Sequence, residues 1–228
     1  MIQSISKLIS TTALLAIFAS GCASFPNNGV PTVDKLPDKS AFRNKPSIFL
    51  DAKMTVDMSG GKNAPAENKP GTDKFKEMVE KATKDSNMFG NYTLDPFKGR
   101  EMDYTVKLEL LNHGSSGAAA VSGFITGLSL FIIPGAATDH YKLTAAVTDR
   151  SGRKLATYEL NDSVKTWIGI WFIPFMGKSP ATVVPEVWEN MVKTIFQNIS
   201  NDKLMKYSFM PNDDHRIAAL DGHAFGLH

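Results

Sequence analysis

The chain has 228 residues, a formal net charge of +2, 43% hydrophobic and 21% charged residues, and one cysteine. This is the composition of an ordinary globular domain. The near-neutral charge argues against nucleic acid as a partner, and a lone cysteine excludes a disulfide within the chain.

The first element is an address. Lys7 gives a positive start, Leu8 to Ala19 is an apolar run of twelve residues, and Ala19-Ser20-Gly21-Cys22 closes it with small residues before the only cysteine. That is the layout of a secretory signal. As a helix the run spans roughly 18 Å, short of the ~30 Å hydrocarbon core of a bilayer. Continued to Phe25 it would nearly span, but Pro26, Asn27, Asn28 and Gly29 stop it. Leu15 to Cys22 resembles the lipobox of bacterial lipoproteins, with Ala19 where leucine is usual. The resemblance implies cleavage between Gly21 and Cys22, then a diacylglyceryl thioether and an N-acyl chain, such as palmitate, on Cys22. It further implies sorting to the outer membrane with the body facing the periplasm, because Ala23 rather than an aspartate follows. Each buried methylene contributes about 0.8 kcal/mol, so one chain holds a protein marginally and two or more hold it stably.

Removal of residues 1–21 leaves enough chain for one domain with a sizeable core. Residues 22–46 are the expected lipidated start and linker, with Pro26, Pro31, Pro37 and Pro46 among polar residues and almost no apolar periodicity. Such a segment is expected to be mobile and, fully extended, to reach about 80 Å. The folded body is expected over 47–205 and a loose tail over 206–228.

Ile48, Leu50, Ala52, Met54, Val56 and Met58 alternate with Phe49, Asp51, Lys53, Thr55 and Asp57, the period of a strand with one buried face. Phe75, Met78, Val79 and Ala82 then recur at helical spacing, with Thr72 as the expected cap and Asp85 near the end. A short strand is expected at Asn91 to Leu94, and a longer one where Tyr104, Val106, Leu108 and Leu110 alternate with Thr105, Lys107 and Glu109. Tyr141, Leu143, Ala145 and Val147 give the next strand; Asp149-Arg150-Ser151-Gly152 turns the chain, and Arg153 to Val164 returns. The last element is a helix from about Pro185 to Ile199, with Val184, Val187, Trp188, Met191, Ile195 and Ile199 on one stripe. The fold expected is α+β: a two-layer domain with a mostly antiparallel sheet of about five strands, two helices, and two apolar insertions at one end of the sheet.

Those insertions carry the functional inference. No charged residue occurs from Gly114 to Thr138 or from Thr166 to Gly177, too apolar for ordinary loops. In an antiparallel meander the strands alternate direction, so both segments emerge at the end opposite the Asp149 to Gly152 turn. Together they form an apolar surface larger than a soluble monomer usually exposes, one that calls for membrane, another subunit or the domain's own core. The expected contacts are Phe124, Ile125, Leu128, Leu130 and Phe131 in the first segment, and Trp167, Ile170, Trp171, Phe172 and Phe175 in the second. Trp167 and Trp171 suit a headgroup boundary, whereas Trp188 suits the core. Gly123 and Gly127 have the small-xxx-small spacing of close helix contacts.

From Ile48 to Ile199 the order of elements, with the hairpin through Asp149 to Gly152 at its centre, resembles the curli-secretion lipoprotein and related envelope lipoproteins of anticodon-binding-domain-like fold. The resemblance implies a lipidated cysteine, and in the secretion channel the two insertions become membrane hairpins of an oligomeric barrel. Here they are more uniformly apolar and carry Pro134 and Pro174.

Catalytic patterns are missing. No G-x-S-x-G elbow or catalytic cysteine occurs, no phosphate-binding glycine loop, and His113, His140, His215, His223 and His228 show no metal-ligand spacing. No cofactor or metal is expected. The sequence points to a non-catalytic outer-membrane lipoprotein of envelope assembly or export, held by acylated Cys22 and meeting an envelope protein or its own copies. Two alternatives are an oligomeric secretion channel and a periplasmic module that binds a lipid or other hydrophobic ligand.

Overall fold

A computed structural model describes residues 21–60, 62–114, 122–123, 125–175 and 177–208. The expected signal segment up to residue 20, the first insertion's residues 115–121 with Phe124, and the tail from 209 lie outside the described residues. In chain order the elements are β1 (Gly21–Pro26), β2 (Ser47–Asp57), β3 (Ala66–Glu67), helix α1 (Lys69–Ser86), β4 (Asn91–Thr93) and the four-residue helix α2 (Pro96–Gly99). They continue with β5 (Tyr104–His113), β6 (Gly135–Asp149), β7 (Lys154–Gly169), a 3-10 helix (Ile170–Phe175) and α3 (Pro180–Asn201).

Alternation builds the sheet. Ile48, Leu50, Ala52 and Met54 of β2, Val106, Leu108 and Leu110 of β5, and Leu143, Ala145 and Val147 of β6 are buried, while Asp51, Lys53, Lys107 and Glu109 point to solvent. The strand order is β1-β7-β6-β5-β2-β3, with β4 also paired to β2. β2 runs parallel to β4 and β5, since α1 intervenes; the other pairings are antiparallel. The fold is α+β, a single mixed sheet of seven strands with α1 and α3 packed on it. The strands beyond the expected five are β1 and the two-residue β3.

Helix boundaries differ from the sequence reading for local reasons. Asn68, not Thr72, caps α1: its side-chain oxygen accepts from the Gly71 N–H at 3.0 Å. Thr72 is instead buried, and its hydroxyl accepts from the Met54 N–H at 3.0 Å, joining helix to β2. Helix α3 begins at Pro180 and carries Pro185 in its interior. Losing one backbone donor there is tolerated because Val183, Val187, Trp188 and Met191 remain buried on the sheet side. Trp188 stands edge-on to Phe75 of α1 and Tyr141 of β6, with ring centroids 6.1 and 5.6 Å away.

One ion-pair cluster clasps the two long helices. Glu189 of α3, with a side chain 11% exposed, accepts from Lys193 at 2.6 Å and from Lys81 of α1. Burial pushes the Glu189 carboxyl up, but the hydrogen bonds from Lys193 and Lys81 outweigh it and hold the carboxyl below its ordinary value. A depressed folded-state value adds stability that is present above the unfolded value and lost as pH falls through the folded one. Glu189→Gln is therefore expected to cost about 1–2 kcal/mol at neutral pH, between exposed and buried pairs. The difference from wild type is expected to vanish in acid, as read from urea midpoints on both sides of the carboxylate range.

The N-terminal stretch corrects the expectation of a mobile linker. Its first residues form β1 along β7, with Ala23 and Ser24 fully buried. The next turn is stapled to the body: Asp162 accepts from the N–H groups of Gly29 and Val30 at 3.1 and 3.2 Å, and Asn190 accepts from the Val33 N–H at 2.8 Å. Further along, Lys39 lies over the Phe42 and Tyr207 rings, and Asn44 bridges to Ser208. Residues 206–208, assigned to the loose tail, are thus seated on the body. Prolines and a missing period excluded neither a paired strand nor docking through fixed side-chain acceptors.

Candidate functional site

Strands β6 and β7 run further than their alternation suggests. β5 ends at His113, which pairs with His140, but β6 continues back to Gly135 and β7 forward to Gly169. Past that point the sheet narrows to three strands, β6, β7 and β1. Six residues of extended chain make this neck about 20 Å long. The stacked rings of His113 and His140, 5.4 Å apart, mark its base. Their cross-strand pairing is invisible in sequence spacing.

The two apolar segments meet at the far end of the neck. Ile170 donates its N–H to the Phe131 carbonyl at 3.1 Å, and the Trp171 indole N–H donates to the Ile132 carbonyl at 2.9 Å. In the first segment, helical turns occur at 122–123 and 125–128, seated over the start of β6. Ser122 Oγ accepts from the Ala136 N–H at 2.8 Å. Gly135 allows this approach, since a Cβ there would lie 2.2 Å from Thr126 Oγ1. By contrast, a Cβ on Gly123 or Gly127 would meet nothing within 4 Å, so their small-xxx-small spacing serves no close contact among the described residues. The second segment forms the last residues of β7 and then the 3-10 helix.

Five of the ten expected contact residues are uncovered. Leu128, Leu130 and Trp171 are 71, 64 and 63% exposed, and Ile125 and Phe175 are exposed as well. Phe131, Trp167, Ile170 and Phe172 are half-buried, with Trp167 and Phe172 stacked at 5.7 Å; Phe124 lies outside the described residues. Among the described residues, every exposed large apolar side chain except Met58 and Phe97 belongs to these two segments. That is concentration, not the scattered exposure of an ordinary surface. Ile132, Ile133, Ile168 and Ile173 complete the patch.

Cys22 sits at the same end, a placement no sequence signal announces. In register β1 sets Gly21 opposite Gly169 and Cys22 opposite Ile168. A Cβ on Gly21 would come within 2.3 Å of the Ile173 backbone nitrogen, so the backbone just before Cys22 abuts the second segment. Ser24 fixes the strand, with its hydroxyl 2.8 Å from Thr166 Oγ1 and its N–H donating to the Lys178 carbonyl at 2.6 Å. Partial burial pushes the Cys22 thiol up. Lys165 Nζ lies 4.6 Å from the Trp167 ring centroid, and Lys178 Nζ 5.5 Å from that of Phe25.

Concave space is distributed differently. Between the apolar segments, a cavity of about 80 Å³ is lined by Thr126, Phe131, Gly135 and Ile168, room for a few waters rather than an acyl chain. A larger groove of about 550 Å³ lies at the opposite end, by the Asp149 to Gly152 turn, among Lys45, Asp103, Tyr104, Arg150 and Tyr207. Its charges are largely committed to structure: Lys45 donates to Asn87, Arg153 to Asp149, and Asp103 accepts from Ser47. Backbone and hydroxyl hydrogen bonds from Ser47 hold the Asp103 carboxyl below the usual range. Among the described residues no group of three or more His, Cys, Asp or Glu could hold a metal ion, and no helix is long and apolar enough to cross a membrane.

No protein-family model matches the chain, and no curated protein matches it in sequence. Solved structures give distant likenesses of backbone course. A minor lipoprotein from Acinetobacter baumannii is 10% identical over 73% of this chain and 98% of its own, with a TM-score of 0.40. The PelC dodecamer from Paraburkholderia phytofirmans is 9% identical over 78% and 97%, at 0.37. A DUF4136 family protein from Bacteroides thetaiotaomicron VPI-5482 is 8% identical over 77% and 95%, at 0.31.

Proposed function

We propose that the protein is a non-catalytic lipoprotein, fixed by acyl chains on Cys22 to the periplasmic side of the outer membrane, that serves envelope assembly or export through its apolar end. The observation that carries this reading is the seating of Cys22 on β1, opposite Ile168, at the end where the exposed apolar side chains gather. Two features of separate origin, a lipobox-like signal and an uncovered apolar surface, converge on one place. The order strand, helix, strand, meander and closing helix supports kinship in architecture with the curli-secretion lipoprotein, and hence an export or assembly role.

Growth in labelled palmitate tests the reading. Wild-type protein is expected to carry the label and to begin at Cys22, and Cys22→Ala is expected to be unlabelled and to keep residues 1–21. Density fractionation is expected to place labelled protein with outer-membrane markers. An unlabelled mature chain with its original amino terminus would overturn the proposal.

A further inference from the structure

We infer that the apolar end is a second membrane anchor, pressed into the same leaflet that holds the acyl chains, so that the sheet stands on the bilayer with the Asp149 to Gly152 turn pointing away. This deepens the proposed function and rests on acylation of Cys22. The occupant follows from position. A lipid chain on Cys22 starts opposite Ile168, at the end where the exposed apolar side chains gather. There is no slack between anchor and body, because β1 is paired through Pro26 and the turn after it is stapled by Asp162 and Asn190. Wherever the acyl chains enter the bilayer, Ile168, Trp171 and Ile173 are brought to its surface. A protein partner would have to displace lipid already held there.

The charge pattern fits a lipid surface. Lys165 pairs with Phe25 of β1 and lies four residues behind Gly169, about 13 Å along the strand. An interfacial element sinks its apolar face ~5–10 Å into the headgroup and acyl boundary. Insertion of the tip to that depth sets the Lys165 and Lys178 ammonium groups at phosphate level. Trp167, stacked under Lys165, and Trp171, tied to Ile132, then lie at the boundary that indole rings favour. The bond from Trp171 to Ile132 and that from Ile170 to Phe131 hold the two segments as one rigid patch.

The test uses full-length, palmitate-bearing protein reconstituted into vesicles of phosphatidylethanolamine and phosphatidylglycerol, with and without bromine on the acyl chains. Bromine quenches only indoles that reach the acyl region. Subtracting the emission of Trp171→Phe from that of wild type isolates Trp171, whose emission is expected to fall at least twofold in brominated vesicles. Leu128→Asn combined with Leu130→Asn is expected to keep the palmitate and the thermal midpoint but to reduce that quenching. Unquenched Trp171 in protein that still floats with the vesicles would sink the second anchor while leaving acylation intact. Unquenched Trp171 with crosslinks between tips would assign the patch to a second copy and equally overturn it. Protein that neither carries palmitate nor floats defeats the underlying reading instead.

Discussion

Replacing Phe196 with alanine is expected to lower the unfolding free energy by about 3–5 kcal/mol, the usual range for a large aromatic ring lost from a core. Phe196 is fully buried on α3 and stands edge-on to Phe89, with centroids 5.2 Å apart. Its neighbours Met191, Val192, Ile195 and Ile199 are buried on the same helix, and the opposing wall is a hydrogen-bonded sheet. Neither wall can collapse into the space, so the cavity term adds to the lost transfer energy. Against a total stability of ~5–15 kcal/mol for a domain, this is a large fraction. Urea denaturation followed by far-UV circular dichroism measures it. Phe97→Ala serves as the control: that ring is 87% exposed, and its loss is expected to shift the midpoint hardly at all.

Replacing Asp162 with alanine is expected to cost about 2–4 kcal/mol and to free the arm after β1. The carboxylate accepts from the backbone N–H groups of Gly29, Val30 and Ser163 at 3.1, 3.2 and 2.7 Å. Each donor left buried without an acceptor carries about 1–3 kcal/mol of desolvation. Burial is real here, with Val30 only 4% exposed. The readout that separates arm release from general weakening is limited trypsin digestion. Lys35, Lys39, Arg43 and Lys45 follow the staple, and cutting among them is expected to accelerate well before the body is attacked. Asp162→Asn, which keeps one acceptor oxygen, is expected to fall between. An arm equally protected in Asp162→Ala and wild type would show that Asn190 and β1 alone seat it.

The main body was legible because its residues alternate on one face. Ile48 to Met54, Val106 to Leu110 and Leu143 to Val147 have one wet face and one dry face, and the Asp149 to Gly152 turn, with Gly152 at a φ of +83°, fixes how two strands join. From that meander the adjacency of the two apolar segments followed, and the contacts of Phe131 with Ile170 and of Ile132 with Trp171 are its physical form. The neck was not legible. Gly135 to Thr138 and Trp167 to Gly169 lack alternation of apolar with polar residues. Strand β1 was hidden for another reason: Gly21 to Pro26 has no strand pattern of its own, and its pairing depends on β7, with Ser24 meeting Thr166 across 142 residues of sequence. The start of α1 was set at Thr72, whereas Asn68 caps it and Pro70 and Gly71 lie inside its first turn. The neighbours of Cys22 were not legible either, because register is a property of the pair and not of the strand.

The pairing of β1 with β7 also sets an order of events in folding. β1 is made early, whereas residues 164–169, its partners, follow long after. In the proposed lipoprotein, acyl transfer to Cys22 would meet an open, unseated segment. Only when the last strand arrives does β1 zip onto the free rim of β7 and cover its backbone donors, which an open edge would otherwise offer to other chains. Seating of β1 therefore waits on residues 164–169, and the rim it closes stays open until they arrive.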